Sequence, residues 1–539
     1  MSSKVSLLDC TLRDGGYINN WCFGHDNIVN IFNRVVNSGT EMIEIGFLDE
    51  RVDFNTDSCI MPDTESLNKI FDKFDKKNTT VVAMIDYGTC GLQNIQPCSE
   101  CFLDGIRVIF KKDIMYPAMD FCRQLKELGY LVFAQLVSVS SYTDDELKEV
   151  VKLANDIKPY AISMVDTYGL LNPGKLTHIL NIIDSNLDKS IALGFHAHNN
   201  FQLGYINATT VLKSGIDRHV FVDGSLYGMG KSAGNAPVEL IAMYMNDEMG
   251  KNYKITEMQE AITSSILEFQ KKSPWGYQLF YYIAASNQCH PNYVSFLMNK
   301  RTLSVTAINE ILQRIPEEEK LSKNLKLVEQ LYLDYQKNEC DDSKSFNALE
   351  QELKNKKILV IGPASSVVKY EDKIKEYIDR ENPVIISINY FPDRYSPDYV
   401  FFTNSGRFVQ SATKMCEERN KAVKIIASSN LTKTSTEFEY VFNYSSLIDT
   451  EAEFPDNSMC MLLRILKRMN CNTVALAGLD GYNADSVNYF DTDKEYSFLR
   501  NKAESLNNYA RRFFKDIKND VIIVFVTPSR YQEEITHDC

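Results

Sequence analysis

The chain contains no run of the ~18 to 20 uninterrupted apolar residues that a membrane-spanning helix needs. Its start, Met1-Ser-Ser-Lys-Val-Ser-Leu-Leu-Asp-Cys, lacks the charged, apolar and small-residue regions of a signal peptide, so a cytoplasmic location is expected, with no membrane partner. Positive charge is not in excess: 58 Lys and Arg stand against 72 Asp and Glu, a net of −14. That balance argues against a protein whose main task is gripping nucleic-acid phosphates, although it leaves room for a local basic anion site. Internal repeats and low-complexity tracts are absent, and 24 Gly and 15 Pro in 539 residues exclude collagen-like and disordered classes. The 13 cysteines are odd in number and scattered, which reads as reduced thiols, several of them in cores. Cys98 and Cys101 form the one C-x-x-C; without a second pair or a nearby histidine they read as loop residues rather than a zinc or redox site.

What is present is alternation. Up to about residue 250, eight β-branched or apolar runs are separated by segments of helical length: 5–8, 42–47, 80–85, 105–110, 131–137, 161–165, 191–196 and 219–222. Eight βα repeats over this length predict a closed (β/α)₈ TIM barrel, with an open doubly wound sheet as the competing arrangement. Residues 254–335 read as a helical extension and 336–356 as a charged linker that includes a helix. A second α/β pattern then runs over 357–539, with strand-like runs at 357–362, 384–388, 399–403, 423–427, 473–478 and 521–526. The expected organisation is a barrel over 1–253, the extension, the linker and a separate Rossmann-like α/β domain.

Two motifs carry chemistry. Phe195-His-Ala-His-Asn-Asn ends a strand-like run, and His196 and His198, two of only seven histidines, point to the same face of a strand. Two imidazoles on one face can bind one divalent cation. Leu8-Asp-Cys-Thr-Leu-Arg-Asp-Gly-Gly-Tyr ends the first run, where Asp14 completes a two-histidine, one-carboxylate set with open positions for an oxygen ligand. Arg13 beside it is a fixed cation that can stabilise an enolate oxygen.

Together with Ile43-Glu-Ile-Gly, Val165-Asp-Thr-Tyr-Gly and Asp223-Gly-Ser-Leu-Tyr-Gly-Met-Gly-Lys-Ser-Ala-Gly-Asn-Ala-Pro, these motifs resemble the metal-dependent barrel family that includes 4-hydroxy-2-oxovalerate aldolase, HMG-CoA lyase and the isopropylmalate and citramalate synthases. The resemblance spans about residues 4–335. It implies Asp14, His196 and His198 as ligands of Mn²⁺ or Mg²⁺, and Arg13 as the enolate-stabilising residue. It also implies that Thr167 meets the substrate carboxylate, that Asn235 contacts substrate or touches the metal or its water, and that Glu44 contacts substrate or, the favoured reading, orients Arg13 through a salt bridge. The loop Gly228-Met-Gly-Lys-Ser-Ala-Gly-Asn lacks the catalytic cysteine of the HMG-CoA lyases, so the aldolase branch fits better. In that branch a tyrosine from the helical extension covers the site, a role that falls to Tyr277. Bacterial aldolases carry a histidine base two residues beyond the Asp-Gly pair, where this chain has Tyr17. Either Tyr17 acts with a lowered pKa, or His290 supplies the base.

The expected activity is therefore a class II aldolase joining or cleaving a 2-oxo acid enolate and an aldehyde, in a homo-oligomer. An acyl-CoA-dependent Claisen synthase and a non-catalytic scaffold are the alternatives. In the C-terminal domain, Ile358-Leu-Val-Ile-Gly-Pro-Ala-Ser-Ser places a turn between strand and helix, without G-x-G-x-x-G or G-x-x-x-x-G-K-[ST]. Its motifs faintly resemble sialyltransferase-like and pterin-pyrophosphokinase-like Rossmann domains, which implies a nucleotide or nucleotide sugar held by Ser365, Asn389, Asn404 and Asp480. Such a fusion suggests a place in sugar or surface-polysaccharide biosynthesis.

Overall fold

Parallel strands covered on both faces must be apolar throughout, and the first half of the chain forms them. A computed structural model describes residues 5–535 except 301, 302, 304, 338, 339, 418, 419, 432–437, 450, 451, 454, 493, 494, 496 and 497. Eight strands, β1 (Val5–Asp9), β2 (Met42–Leu48), β3 (Thr80–Asp86), β4 (Gly105–Phe110), β5 (Leu131–Leu136), β6 (Ala161–Asp166), β7 (Ala192–Ala197) and β8 (Val220–Gly224), pair in parallel in chain order. The sheet closes because β1 pairs with both neighbours, Leu7 opposite Val222 and Leu8 opposite Met42. This closure excludes the open doubly wound arrangement. A two-residue strand, Ile60–Met61, adds to β2.

The helices between strands bury one stripe each. In His25–Ser38 the buried residues Ile28, Ile31, Phe32, Val35 and Val36 recur at spacings of three and four, and Gly39 ends the helix at φ 89°. Inside the barrel the period-two alternation stacks layers. Met42, Phe133, Ala161 and Phe221 belong to an apolar floor. Two residues further along the same strands lie Glu44, Gln135, Ser163 and Asp223, joined by Arg107 of β4, all at or near 0% exposure. Another step up, β7 places His196, which sets the polar chemistry at the C-terminal strand ends.

The chain divides into two compact units: residues 1–294 with 320–323, and residues 295–319 with 324–539. The second unit holds its own parallel sheet. Its strands are β9 (Ile358–Ile361), β10 (Val384–Ile388), β11 (Tyr399–Phe402), β12 (Lys424–Ser428), β13 (Tyr440–Phe442), β14 (Thr473–Ala477) and β15 (Ile522–Phe525), in the order β13-β12-β11-β10-β9-β14-β15. The stretch expected as linker and helix forms the helix Ser343–Leu353, and it belongs to this unit, since Leu349 and Leu353 join the apolar core beneath the sheet. The expected single helical extension is likewise shared between the two units rather than belonging wholly to the barrel. Twelve cysteines are free thiols, and none of the described helices is long and apolar enough to cross a membrane.

Candidate active site

At the top of β1 the chain turns into a short helix, Thr11–Asp14, that buries Arg13 and Asp14. The turn is held by Asp9, whose carboxylate accepts from the Thr11 N–H and hydroxyl; burial pushes its pKa up to about 7. At the top of β7 His196 and His198 present their rings 5.0 Å apart. One ligand atom each from Asp14, His196 and His198 lies within 4.8 Å of the others, the one such cluster among the described residues.

The orientation of each group suits a cation. His196 Nδ1 is paired to Asp223 Oδ2 at 3.0 Å, and its buried Nε2 has no hydrogen-bond partner. His198 Nδ1 donates to the Lys231 carbonyl at 3.2 Å, which leaves its Nε2 on the other side of the ring. Burial pushes His198 down to about 3, so its imidazole is neutral and its lone pair available near neutral pH. Asp14 is buried too, which by itself would oppose ionisation, yet Arg13 and the two imidazoles hold its carboxyl well below the usual range. Its Oδ2 accepts from Asn235 Nδ2 at 2.8 Å and the Lys231 N–H at 3.1 Å. The donor set, the unpartnered Nε2 and the neutral imidazole fit a divalent metal.

Beneath the cluster runs a buried chain of charges. Arg13 Nη1 donates to Asp14 at 2.5 Å and Nε to Glu44 Oε2 at 2.7 Å. Arg107 donates to the same Glu44 oxygen at 3.0 Å and to Asp223 Oδ2 at 2.6 Å, and Asp223 returns the chain to His196. Three carboxylates against two guanidiniums leave one net negative charge. A divalent cation turns that to one net positive, which suits an anionic ligand. Glu44 Oε1, Arg107 Nε, Asp223 Oδ1 and Asn235 Oδ1 are likewise buried without hydrogen-bond partners.

The glycine loop is shaped to this geometry. A Cβ on Gly230 would stand 2.4 Å from both Asp14 Oδ2 and Asn235 Nδ2, and Gly234 takes φ 83° with the Gly228 carbonyl 2.1 Å from where its Cβ would lie. Trp275 is buried and its Nε1 donates to the Tyr227 carbonyl at 2.9 Å, pinning the loop from outside.

The remaining expected residues fall differently. Glu44 is 0% exposed and spends itself on Arg13 and Arg107, so it positions Arg13 rather than touching substrate. Asn235 orients Asp14. The Thr167 hydroxyl, at the top of β6, accepts from the Ser138 N–H at 2.8 Å. Tyr17 lies with its ring against Trp21 and Phe47; partial burial and the Asp14 charge push it up to about 12, opposite to what a base requires. His290 is buried beside Tyr168, ring centroids 5.8 Å apart, and burial with nearby lysines pushes it down to about 4. Tyr277 is 60% exposed and makes no hydrogen bond or ring contact to the cluster. Arg107, Gln135, Asp223 and Lys231 have parts that sequence reasoning did not assign.

Residues 4–264 match the HMGL-like family model. The barrel is an HMGL-like domain. Its relatives include a 4-hydroxy-2-oxovalerate aldolase of Marinomonas sp., 25% identical over 279 residues, or 50% of this chain and 79% of that protein. An oxaloacetate decarboxylase of Mycobacterium tuberculosis is 26% identical over 237 residues, 44% and 68% of the two chains. Among solved structures, the N-terminal domain of a candidate aldolase from Bacteroides vulgatus is 24% identical, covers 57% of this chain and 99% of its own, and superposes with a TM-score of 0.47. The HMGL-like domain is that of an aldolase-type lyase.

In the second unit, a cleft of about 390 Å³ opens where β9 and β14 end, lined by Ala364, Asn457, Asp480, Tyr482, Asn488 and Tyr531 among others. This is the point where strand order reverses, the usual ligand crevice of open α/β sheets. Asp480 lies there, accepting from the Ser366 N–H at 3.1 Å and from its hydroxyl. Ser365 is the exposed residue before that serine. Asn389 and Asn404 are committed elsewhere: Asn389 accepts from Thr403 N–H and donates to Ser458, and Asn404 caps the helix Ser405–Gln410.

Proposed function

We propose that the HMGL-like domain is a divalent-metal-dependent aldolase that cleaves or forms a bond between the enolate of a pyruvate-like 2-oxo acid and an aldehyde. The carrying observation is the cluster of Asp14, His196 and His198 with Arg13 bound to its carboxylate. Those three side chains would hold Mn²⁺ or Mg²⁺, which when bound supplies Lewis acidity toward carbonyl oxygen. Arg13 keeps Nε and Nη1 on Glu44 and Asp14, leaving Nη2 to donate to an enolate oxygen as charge develops. Arg107 and Glu44 lock that guanidinium in place, so the donor is already oriented when charge appears. In the cleavage direction His290, neutral above about pH 4, takes the substrate hydroxyl proton as the C–C bond breaks to aldehyde and enolate, and the proton returns to the enolate carbon to give the 2-oxo acid, while Tyr17, protonated at neutral pH, is a hydrogen-bond donor only. The oxaloacetate decarboxylase relative favours a second reading, decarboxylation to the same enolate.

Pyruvate release from 4-hydroxy-2-oxo acids, and carbon dioxide release from oxaloacetate, test both. Chelator-stripped protein should lose activity and regain it with Mn²⁺ or Mg²⁺, and His196→Ala should lower turnover ~100-fold or more. Full activity without metal would contradict the mechanism. For the second unit we propose that the cleft binds a nucleotide or nucleotide sugar. Its lining holds no lysine or arginine, so base and sugar fit it better than phosphates do.

A further inference from the structure

The chain carries a net charge of −14, yet the mouth of the barrel gathers lysines that have no ion-pair partner among the described residues. Lys111 directly follows the last residue of β4 and so stands on the same rim as the metal cluster. Lys231 belongs to the glycine loop: its N–H donates to Asp14, its carbonyl accepts from His198, and its Nζ lies 5.1 Å from the centroid of the Tyr17 ring. Lys323 ends the segment 320–323 that returns to the barrel unit. That segment is tied down by the His290 N–H donating to the Lys320 carbonyl at 2.7 Å and by Tyr293 and Ser322 hydroxyls 2.8 Å apart.

Neighbouring cations behave differently. Lys112 is paired with Glu146, and Arg51 with Asp49. Two carboxylates face this group: Asp86 at the end of β3, on which Lys111, Arg51 and Lys231 act, and Asp14, which acts on Lys231 but belongs to the cation cluster below. With Asp14 counted in that cluster, three lysines against Asp86 leave an excess of two positive charges at the entrance. The same three lysines all bear on His290, so they share one face of the mouth. Such mutual repulsion is offset when an anion binds between the charges. The 2-oxo acid does not fill this role, because its carboxylate and ketone belong with Arg13 and the metal cluster deeper in the barrel.

We propose that the aldehyde partner carries an anionic group, a phosphate or a carboxylate, and that Lys111, Lys231 and Lys323 bind it at the barrel mouth. The proposal rests on the aldolase reading and specifies its second substrate. In solution the full chain, loaded with Mn²⁺ and given pyruvate, is offered glyceraldehyde 3-phosphate, succinic semialdehyde, glyceraldehyde and propanal. The expected result is kcat/KM at least ~10-fold higher for one of the two charged aldehydes, the size of a charge-assisted contact. The better of the two identifies phosphate or carboxylate. Lys111→Met and Lys323→Met, at exposed positions, should each shrink that preference several-fold through KM while melting temperatures stay unchanged. Equal kcat/KM for charged and neutral aldehydes, or variants that leave the preference intact, would overturn the proposal. Exchange of pyruvate methyl protons for deuterium, measured without any aldehyde, separates the two levels. Exchange without a charge preference sinks the lysine site alone; absence of exchange sinks the aldolase reading and the proposal with it.

Discussion

Arg107 is fully buried, and its guanidinium is the one cation shared by Glu44 and Asp223. Replacing it by methionine leaves buried Asp223 with no guanidinium and Glu44 with Arg13 alone, and losses from broken buried pairs run at ~3 to 5 kcal/mol. Arg107→Met is therefore expected to unfold at lower denaturant, by an amount of that order, and to loosen His196, whose Nδ1 depends on Asp223. An urea titration measures the first effect and metal affinity the second. His290 and Tyr17 separate by pH. A base held at about 4 is active above that value and lost as pH falls through it, whereas a phenol at about 12 stays protonated across the neutral range. At saturating metal, kcat/KM should fall below about pH 4, and His290→Gln should remove that acid limb together with most of the turnover. A limb unchanged in His290→Gln would assign the base elsewhere.

At the scale of elements, the glycine loop between β8 and the following helix does more than connect. Through the Lys231 N–H and Asn235 it fixes Asp14, and through the Lys231 carbonyl it fixes His198. Gly230→Ala would push a methyl group into Asp14 and Asn235, so metal affinity is expected to drop by ~10- to 100-fold, as for lost orienting contacts, with little change in secondary structure. Isothermal titration with Mn²⁺ reads this directly. The strands and the histidine pair were legible in sequence because alternation places residues 196 and 198 on one face. Arg107 and Gln135 were not, because a strand buried on both sides reads as one apolar run and hides the inward polar residue. Tyr277 stands exposed, and of the residues around it Trp275 is the one that meets the glycine loop, a contact that distance along the chain does not foretell. The strand Tyr440–Phe442, three residues long, is too short for a periodic signal.

Over the whole molecule, the charge and low apolar content at 336–356 read as linker and helix, and the helix proves to be part of the second unit, with Leu349 and Leu353 at helical spacing buried against its sheet. The second unit's cleft lies at its reversal of strand order, and millimolar CMP or UDP is expected to raise the melting temperature of the full chain. No shift with either would count against a nucleotide there. The central claim, however, concerns the barrel: that Asp14, His196 and His198 hold a cation that lets Arg13 stabilise a 2-oxo acid enolate. Its most direct measurement is deuterium exchange of the pyruvate methyl group, followed by proton NMR in heavy water. Exchange that requires added Mn²⁺ or Mg²⁺, and that vanishes in His196→Ala, is the expected result; exchange that persists after chelation or in that variant would contradict it.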